Sequence, residues 1–321
     1  MLNTLPALTL IATGGLAILL VGGTWTINGA VNLARHLGVS PLMIGMTIIA
    51  FGTSAPELMV SVQAVLSRHP DIVLGNVVGS NVANILLIVG VSAAIKTLVA
   101  PGGAALRRDY ALLLIFTIIF AGLSCLGKFS WGNGALMLAG LIAYTAWSFK
   151  RSQKTKERDT ADAGLVEELG QTPLTLGAAL LVTTSGIVGV VLGAYLLLEG
   201  SVDLARMWGV SEAVIGLTII AIGTSLPELV TSVIAALRGQ PGIAIGNVIG
   251  SNLFNMFGIT GVSALVSDSP LQVPAQVAGF DLWVMLGATT MICVILLKGW
   301  GIVRLGGLAM IALYALYITI L

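Results

Sequence analysis

Charged side chains are scarce in this sequence: only 9% of its 321 residues are Asp, Glu, Lys or Arg. A soluble domain of this length needs far more polar surface, so the composition excludes an ordinary soluble protein. With 57% hydrophobic residues and a mean hydropathy of +1.02, the chain is predicted to be a polytopic membrane protein. Its one long polar stretch is 150–172.

Cysteine and histidine are also rare, with two of each. Cys125 and Cys293 lie in apolar runs, where small packing residues are expected, and they indicate no redox compartment. The sequence has no nucleophile elbow, His–Asp pair or metal-bound water motif, so neither an enzyme nor a bound cofactor is predicted. The net charge of +1 indicates no particular partner, and we expect neither nucleic acid nor an obligate protein partner.

Ten apolar segments are long enough to be membrane-spanning helices. They are 5–33, 41–66, 71–95, 106–126, 131–150, 175–202, 212–237, 242–266, 276–297 and 301–320. No basic segment precedes the first, which favours a retained helix over a signal peptide. The polar segment 150–172 is predicted to link a first unit of five helices, 1–149, to a second, 173–321.

The two units are copies of each other. A shift of 171 residues aligns 38–90 with 209–261 and gives 30 identical residues in 53 positions, which indicates an internal duplication. Because five is an odd number, the second copy must enter the membrane from the opposite side. Twelve of the 15 Lys and Arg residues then share the side of the linker, as expected of a cytoplasmic face. The prediction is two inverted repeats, an all-α fold, a cytoplasmic linker and both termini outside.

Each copy carries the same polar motif, Gly-Thr-Ser-x-Pro-Glu, at 52–57 and at 223–228. A carboxylate at bilayer depth is costly and is by default functional. Pro56 and Pro227 cannot donate a backbone hydrogen bond, so both helices are predicted to break at the midplane and to free carbonyls around 50–53 and 221–224. Freed carbonyls are favourable cation ligands in secondary transporters.

A second repeated element places amide and hydroxyl side chains on one face of the next helix. Its members are Asn76, Ser80 and Asn84, and Asn247, Ser251 and Asn255. Together the motifs offer an oxygen-only site with two carboxylates. Such a site suits Ca²⁺, which takes about six to eight oxygens, better than Mg²⁺ or a transition metal. Empty facing carboxylates repel each other, so Ca²⁺, several Na⁺ or protons must occupy them, and these ions compete.

Both elements resemble the α-repeats of the cation/Ca²⁺ exchanger superfamily, which carry G-T-S-x-P-E and G-N-x-x-G-S-N, and the resemblance covers essentially the whole chain. It is strongest to prokaryotic sodium/calcium exchangers. The resemblance implies that Glu57 and Glu228 are central Ca²⁺ ligands that also serve Na⁺, and that Thr53 and Thr224 offer carbonyls to Ca²⁺. It implies flanking Na⁺ ligands at Ser54, Ser80, Ser225, Ser251 and the carbonyls of Ala50 and Ala221, with Asn84 and Asn255 beside the central site.

Na⁺/Ca²⁺ antiport by alternating access in a prokaryotic plasma membrane is therefore the leading hypothesis. The family implies that the first and sixth helices slide over the motif helices. The alternative is H⁺/Ca²⁺ antiport through protonation of Glu57 and Glu228, and a cation channel fits an occluding midplane site poorly.

Some polar residues also have structural interpretations. A membrane-embedded Ser or Thr can bond the carbonyl of the preceding turn instead of an ion. Asp109, Glu212 and Asp281 lie near predicted helix starts, where interaction with the helix N-terminus is expected.

Overall fold

The computed structural model describes residues 4–99, 104–154, 173–209 and 223–320. We number its helices in chain order. They are α1 (Leu5–Leu37), α2 (Pro41–Thr53), α3 (Ala55–Leu66), α4 (Asp71–Ile95), α5 (Ala104–Ser124), α6 (Trp131–Lys154), α7 (Leu176–Met207), α8 (Leu226–Leu237), α9 (Pro241–Val266), α10 (Val277–Leu297) and α11 (Arg304–Ile320). Two short strands are β1 (Lys128–Phe129) and β2 (Leu271–Gln272). Most of the predicted linker and the segment before α8, including Ala221, lie outside the described residues.

The helices fit a membrane protein. Within the described ranges, α1, α4, α7, α9 and α10 are each long and apolar enough to span a bilayer, and α2 with α3 gives a sixth span if the bent pair counts as one. Helices α5, α6, α8 and α11 occupy predicted positions but do not meet the same combined criteria of length, hydropathy and number of charged residues. The count of ten spans therefore stays a prediction.

The predicted helix break is present in the first copy. Helices α2 and α3 meet at an angle of 43°. Ser54 joins them with φ −84° and ψ 8°, and Pro56 occupies the first turn of α3. In the second copy Ser225 has nearly the same conformation, φ −87° and ψ 5°, just before α8. The break follows from proline, which fits a first helical turn but lacks the N–H that an uninterrupted helix needs.

Two small backbone pairings show that the copies are inverted. Strand β1, between α5 and α6, pairs with β2, between α9 and α10. Leu98, after α4, exchanges backbone hydrogen bonds of 3.0 and 2.8 Å with Ile302, before α11. In each pairing, the loop after the fourth predicted span of one copy contacts the loop after the third predicted span of the other copy. Such loops share a membrane face only if the copies have opposite orientations.

Helices α1 and α7 form a closely packed antiparallel pair. Glycines recur every seven residues on each helix, at Gly15, Gly22 and Gly29 and at Gly186, Gly193 and Gly200. A Cβ atom added at Gly22 would lie 2.6 Å from the backbone nitrogen of Val190, and the other five positions are similarly tight. Close backbone contact through small residues is typical of membrane helices. In the apolar 18-residue stretch of each of these two helices only 28% is buried, against 72% in α4 and 83% in α9. Helices α1 and α7 therefore lie outside the packed centre.

Candidate cation site

The structure brings the two repeated motifs together. Glu57 and Glu228, in the first turns of α3 and α8, are each only 1% exposed. The Ser54 hydroxyl donates to Glu228 Oε1 at 2.7 Å, and the Ser225 hydroxyl donates to Glu57 Oε1 at 3.4 Å. Each motif serine therefore contacts the carboxylate of the other copy. Two buried carboxylates from different repeats consequently share one polar region.

Several predicted site residues keep buried oxygens without a hydrogen-bond partner. These atoms are Glu57 Oε2, Glu228 Oε2, Asn84 Oδ1, Asn255 Oδ1 and Ser251 Oγ. A buried oxygen left unpaired is costly, because it has lost its hydrogen bonds to water. A cation would satisfy such oxygens, and carboxylate, amide and hydroxyl oxygens are the hard ligands that Ca²⁺ takes. The donor chemistry therefore fits the cations that the sequence predicts as substrates.

The remaining predicted ligands are less uniform. Ser80 is buried, whereas Thr224 is partly exposed. The Ala50 carbonyl was expected to be free, but it accepts the Ser54 N–H at 3.0 Å, so that expectation is wrong. The reason is local: Pro56 removes the donor that would reach Gly52, four residues earlier, and leaves the bond that ends at Ala50 intact.

Two asparagines missing from the predicted ligands hold the glutamate backbones. Asn76 Nδ2 donates to the Glu57 carbonyl at 3.2 Å and to Ser61 Oγ at 2.9 Å. In the second copy, Asn247 Nδ2 donates to the Glu228 carbonyl at 3.4 Å and to Ser232 Oγ at 3.1 Å. All of these residues are identical between the copies. That repetition was the available signal, and it indicated importance without distinguishing support from ion binding.

A further asparagine pair joins α4 to α9. Asn81 Nδ2 donates to the Asn252 carbonyl at 3.3 Å, and Asn252 Nδ2 donates to the Asn81 carbonyl at 3.4 Å. Asn84 Nδ2 donates to Asn252 Oδ1 at 2.9 Å, so its amide nitrogen serves this junction while its oxygen stays unpaired. Helices α4 and α9, the two most buried of the five long apolar helices, are thus joined by hydrogen bonds.

The predicted role of Asp109 and Asp281 is wrong, and Glu212 lies outside the described residues. Neither carboxylate lies in the first turn of its helix, where the interaction with the helix dipole is concentrated. Asp109 Oδ1 accepts from the hydroxyls of Tyr144 and Ser148, both at 3.4 Å, and Asp281 Oδ1 accepts from the Tyr317 hydroxyl at 3.1 Å. Each carboxylate therefore joins its helix to the following one.

The candidate site contains two carboxylates, those of Glu57 and Glu228. Across residues 4–99, 104–154, 173–209 and 223–320, no group of three or more His, Cys, Asp or Glu side chains is arranged to hold a metal ion. A cation bound between Glu57 and Glu228 would thus complete its shell with neutral oxygens.

Comparison with known proteins identifies the family. Residues 7–150 and 178–321 both match the family described as sodium/calcium exchanger protein. The chain belongs to the sodium/calcium exchanger family. Its relatives include the sodium/calcium exchanger MaX1 of Methanosarcina acetivorans, which is 32% identical over 96% of each chain. The inner membrane protein YrbG of Escherichia coli is 32% identical over 79% of this chain and 78% of its own.

The fold agrees with this sodium/calcium exchanger assignment. The sodium-calcium exchanger NCX_Mj, in a crystal soaked with 2.5 mM Na⁺ and 10 mM Sr²⁺, superposes with a TM-score of 0.85 at 31% identity, covering 99% of this chain and 100% of that one. Membership places the chain among membrane-embedded ion exchangers rather than among enzymes, with Na⁺ and Ca²⁺ as the family's substrates.

Proposed function

We propose that this exchanger moves Na⁺ and Ca²⁺ in opposite directions across a prokaryotic plasma membrane, by alternating access to one site built around Glu57 and Glu228. The carrying observation is the reciprocal contact between the motifs, in which Ser54 bonds Glu228 and Ser225 bonds Glu57. Any ion held by one glutamate is then in the neighbourhood of the other. Family membership supports the identity of the two ions.

The proposed Ca²⁺ shell uses both carboxylates and the carbonyls of Thr53 and Thr224. Na⁺ uses the same carboxylates together with flanking oxygens. The proposed flanking set is Ser54, Ser80, Ser225, Ser251 and the carbonyls of Ala50 and Ala221, with Asn84 and Asn255 beside the centre. The unpaired oxygens of Ser251, Asn84 and Asn255 support this set. The Ala50 carbonyl can still serve because a carbonyl oxygen has a second lone pair.

Competition at the shared carboxylates is the proposed basis of coupling. Two unneutralised carboxylates in a buried region repel each other and lack solvation, so an empty site is unfavourable. One Ca²⁺ or more than one Na⁺ removes that charge, and each therefore excludes the other. Conformational switching is then favoured only with an ion bound, which makes the process an exchange rather than a leak.

The proposed membrane arrangement follows the charge distribution. The first repeat occupies 1–149, the second 173–321, and the linker 150–172 is cytoplasmic with both termini outside. The cation–π contacts of Arg151 with Trp147 and of Lys298 with Trp300 fit residues at a membrane surface.

The test is ⁴⁵Ca²⁺ uptake into proteoliposomes that contain the purified exchanger. Vesicles preloaded with Na⁺ are compared with K⁺-loaded and acid-loaded vesicles, and with protein-free liposomes. We expect uptake only where an outward Na⁺ gradient exists. Uptake driven equally well by an outward proton gradient, with no Na⁺ requirement, would replace this proposal with H⁺/Ca²⁺ antiport. Single-channel currents in planar bilayers would replace it with a channel.

A further inference from the structure

Asn247 has hydrogen bonds to both copies of the duplicated motif. Its side chain is fully buried on α9. Its amide nitrogen donates to the Glu228 carbonyl and to Ser232 Oγ, within its own copy. Its amide oxygen accepts the hydroxyl of Thr53, from the other copy, at 3.2 Å. One amide group therefore connects the end of α2 to the first turn of α8.

The equivalent residue, Asn76, does not make the same connection. Asn76 is half-buried and donates to Glu57 and Ser61 in its own copy. The hydroxyl of Thr224, the residue equivalent to Thr53, makes no such bond to Asn76 among the described residues. In both copies the asparagine donates to the carbonyl of its own glutamate. Among the described residues, only Asn247 also bonds the threonine of the other copy.

The position of Thr53 gives this bond a mechanical consequence. Thr53 is the last residue of α2, directly before the break at Ser54. The peptide group after Thr53 is held on its own side by the Ser54 N–H, which donates to the Ala50 carbonyl at 3.0 Å, and the bond to Asn247 adds a link from Thr53 to the other copy. Ser54, the next residue, donates to the Glu228 carboxylate. Thr53 and Ser54 therefore join the broken end of α2 to the Glu228 turn by two parallel connections, of which Asn247 supplies one.

We propose that Asn247 is a positioning residue that holds Thr53 and Glu228 at the separation Ca²⁺ requires, and that Asn76 has no corresponding role for Thr224. This inference rests on the proposed function. A divalent ion that draws ligands from both copies at once depends on their separation, whereas a bond within one copy leaves that separation free. Loss of the Asn247 connection should weaken Ca²⁺ binding more than it slows the maximal exchange rate.

A pair of double-mutant cycles tests the proposal. Thr53→Val removes the hydroxyl and keeps both the carbonyl and the side-chain volume, and Asn247→Ala removes its partner. Thr224→Val and Asn76→Ala form the matched cycle. For each variant we would measure Ca²⁺ binding to the purified protein by calorimetry, and the half-saturating Ca²⁺ concentration and maximal rate of exchange in proteoliposomes.

We expect Thr53→Val to weaken Ca²⁺ binding about tenfold and Asn247→Ala to weaken it at least as much, because Asn247→Ala also removes the bonds to the Glu228 carbonyl and to Ser232 Oγ. The double variant should be no weaker than Asn247→Ala alone by more than about twofold, because the bond between the two side chains is already lost in that variant. Thr53→Ser, which keeps a hydroxyl, should restore most of the affinity. In the matched cycle the two effects should multiply. Multiplying effects in the Thr53/Asn247 cycle, or equal coupling in both cycles, would overturn the proposal.

Folding and function are separated by the design. Size-exclusion elution and thermal unfolding identify any variant that does not fold. If Asn247→Ala does not fold, the Ca²⁺ affinities of Thr53→Val and Thr53→Ser are compared instead. Equal affinities of these two variants would reject the role of Asn247. If the unmodified protein binds Ca²⁺ but shows no Na⁺-driven uptake, the proposed function fails while the binding cycles still test the role of Asn247.

Discussion

The two copies contribute equivalent residues to the candidate site but attach the surrounding helices differently. At the end of α8, the Arg238 guanidinium donates to Asn28 Oδ1 on α1. The equivalent residues 171 positions away are Ser67 and Glu199, which cannot form the same charged contact in that arrangement. Likewise Arg206 pairs with Asp203 at 3.1 Å on α7, whereas the residue equivalent to Asp203 on α1 is a neutral asparagine.

This difference between the copies bears on the relative free energies of the conformations of an inverted repeat. Under the proposed alternating access, two identical copies would give the conformations open to either side the same free energy, so neither would be favoured. Residues that differ between the copies are therefore the ones able to favour one conformation. Here the glutamates and the asparagines and serines that bond them are identical between the copies, whereas the charged contacts of Arg238 and Arg206, which differ, lie at helix ends.

The largest expected effect is the loss of Ca²⁺ uptake on neutralising either glutamate, and it should be the same for both copies. Glu57→Gln and Glu228→Gln should each reduce Na⁺-driven Ca²⁺ uptake at least about a hundredfold while leaving a folded protein, because the site loses a charge but not its shape. Proteoliposome flux measures this. Asp109→Asn, a neutralised buried carboxylate bonded to Tyr144 instead of the motifs, is the control and should retain uptake. Normal flux in either glutamine variant would contradict the shared site.

The next effect concerns the glycine contacts between α1 and α7. Gly22→Ala and Gly193→Ala should each destabilise the protein by about 1–3 kcal/mol, because the new methyl group overlaps the backbone of the opposite helix. Thermal unfolding in detergent would report this as a lower midpoint temperature. Gly14→Ala, where no atom lies within 4 Å of the added carbon, is the matched control. Equal midpoints for Gly14→Ala and Gly22→Ala would show that the helices do not pack as described.

A smaller effect should distinguish the copies at the α4–α9 junction. Asn252→Ala should destabilise the protein more than Asn81→Ala, by about 1 kcal/mol, because Asn252 also accepts the Asn84 amide, whereas the additional contact of Asn81 is a weaker one, to Met285 Sδ at 3.6 Å. Parallel thermal unfolding of the two variants measures the difference. Indistinguishable midpoints would mean that the Asn84 bond adds no more stability than the contact of Asn81 with Met285.

The smallest effect tests the attachment of α1. Arg238→Gln should change the maximal exchange rate about two- to fivefold, because it removes a charged hydrogen bond to Asn28 that belongs to one copy only. Arg206→Gln, on the exposed pair with Asp203, should change the rate less, since exposed ion pairs contribute little. Comparable rates in the two variants would argue against a role for the Arg238 contact in setting the conformation.

Much of this was predictable because the decisive signals are local. A glutamate beside a proline, repeated at a fixed shift, gave the break at Ser54 and the approach of Glu57 and Glu228, which the structure contains. The bond from Thr53 to Asn247 was not predictable, since it depends on how one copy packs against the other. Asp109 illustrates the opposite error: a position near a helix start suggested a local partner, but the side chain contacts Tyr144 on the next helix.

The loop pairings β1 with β2 and Leu98 with Ile302 imply that a continuous chain is not what keeps the halves together. Each half contributes backbone partners to the other on both faces, and the buried asparagines Asn81 and Asn252 add a third attachment between them. The two halves thus contact each other in the way that the two subunits of a heterodimer do, although they belong to one chain. Co-expressed as two separate polypeptides, its halves would be expected to find each other and assemble.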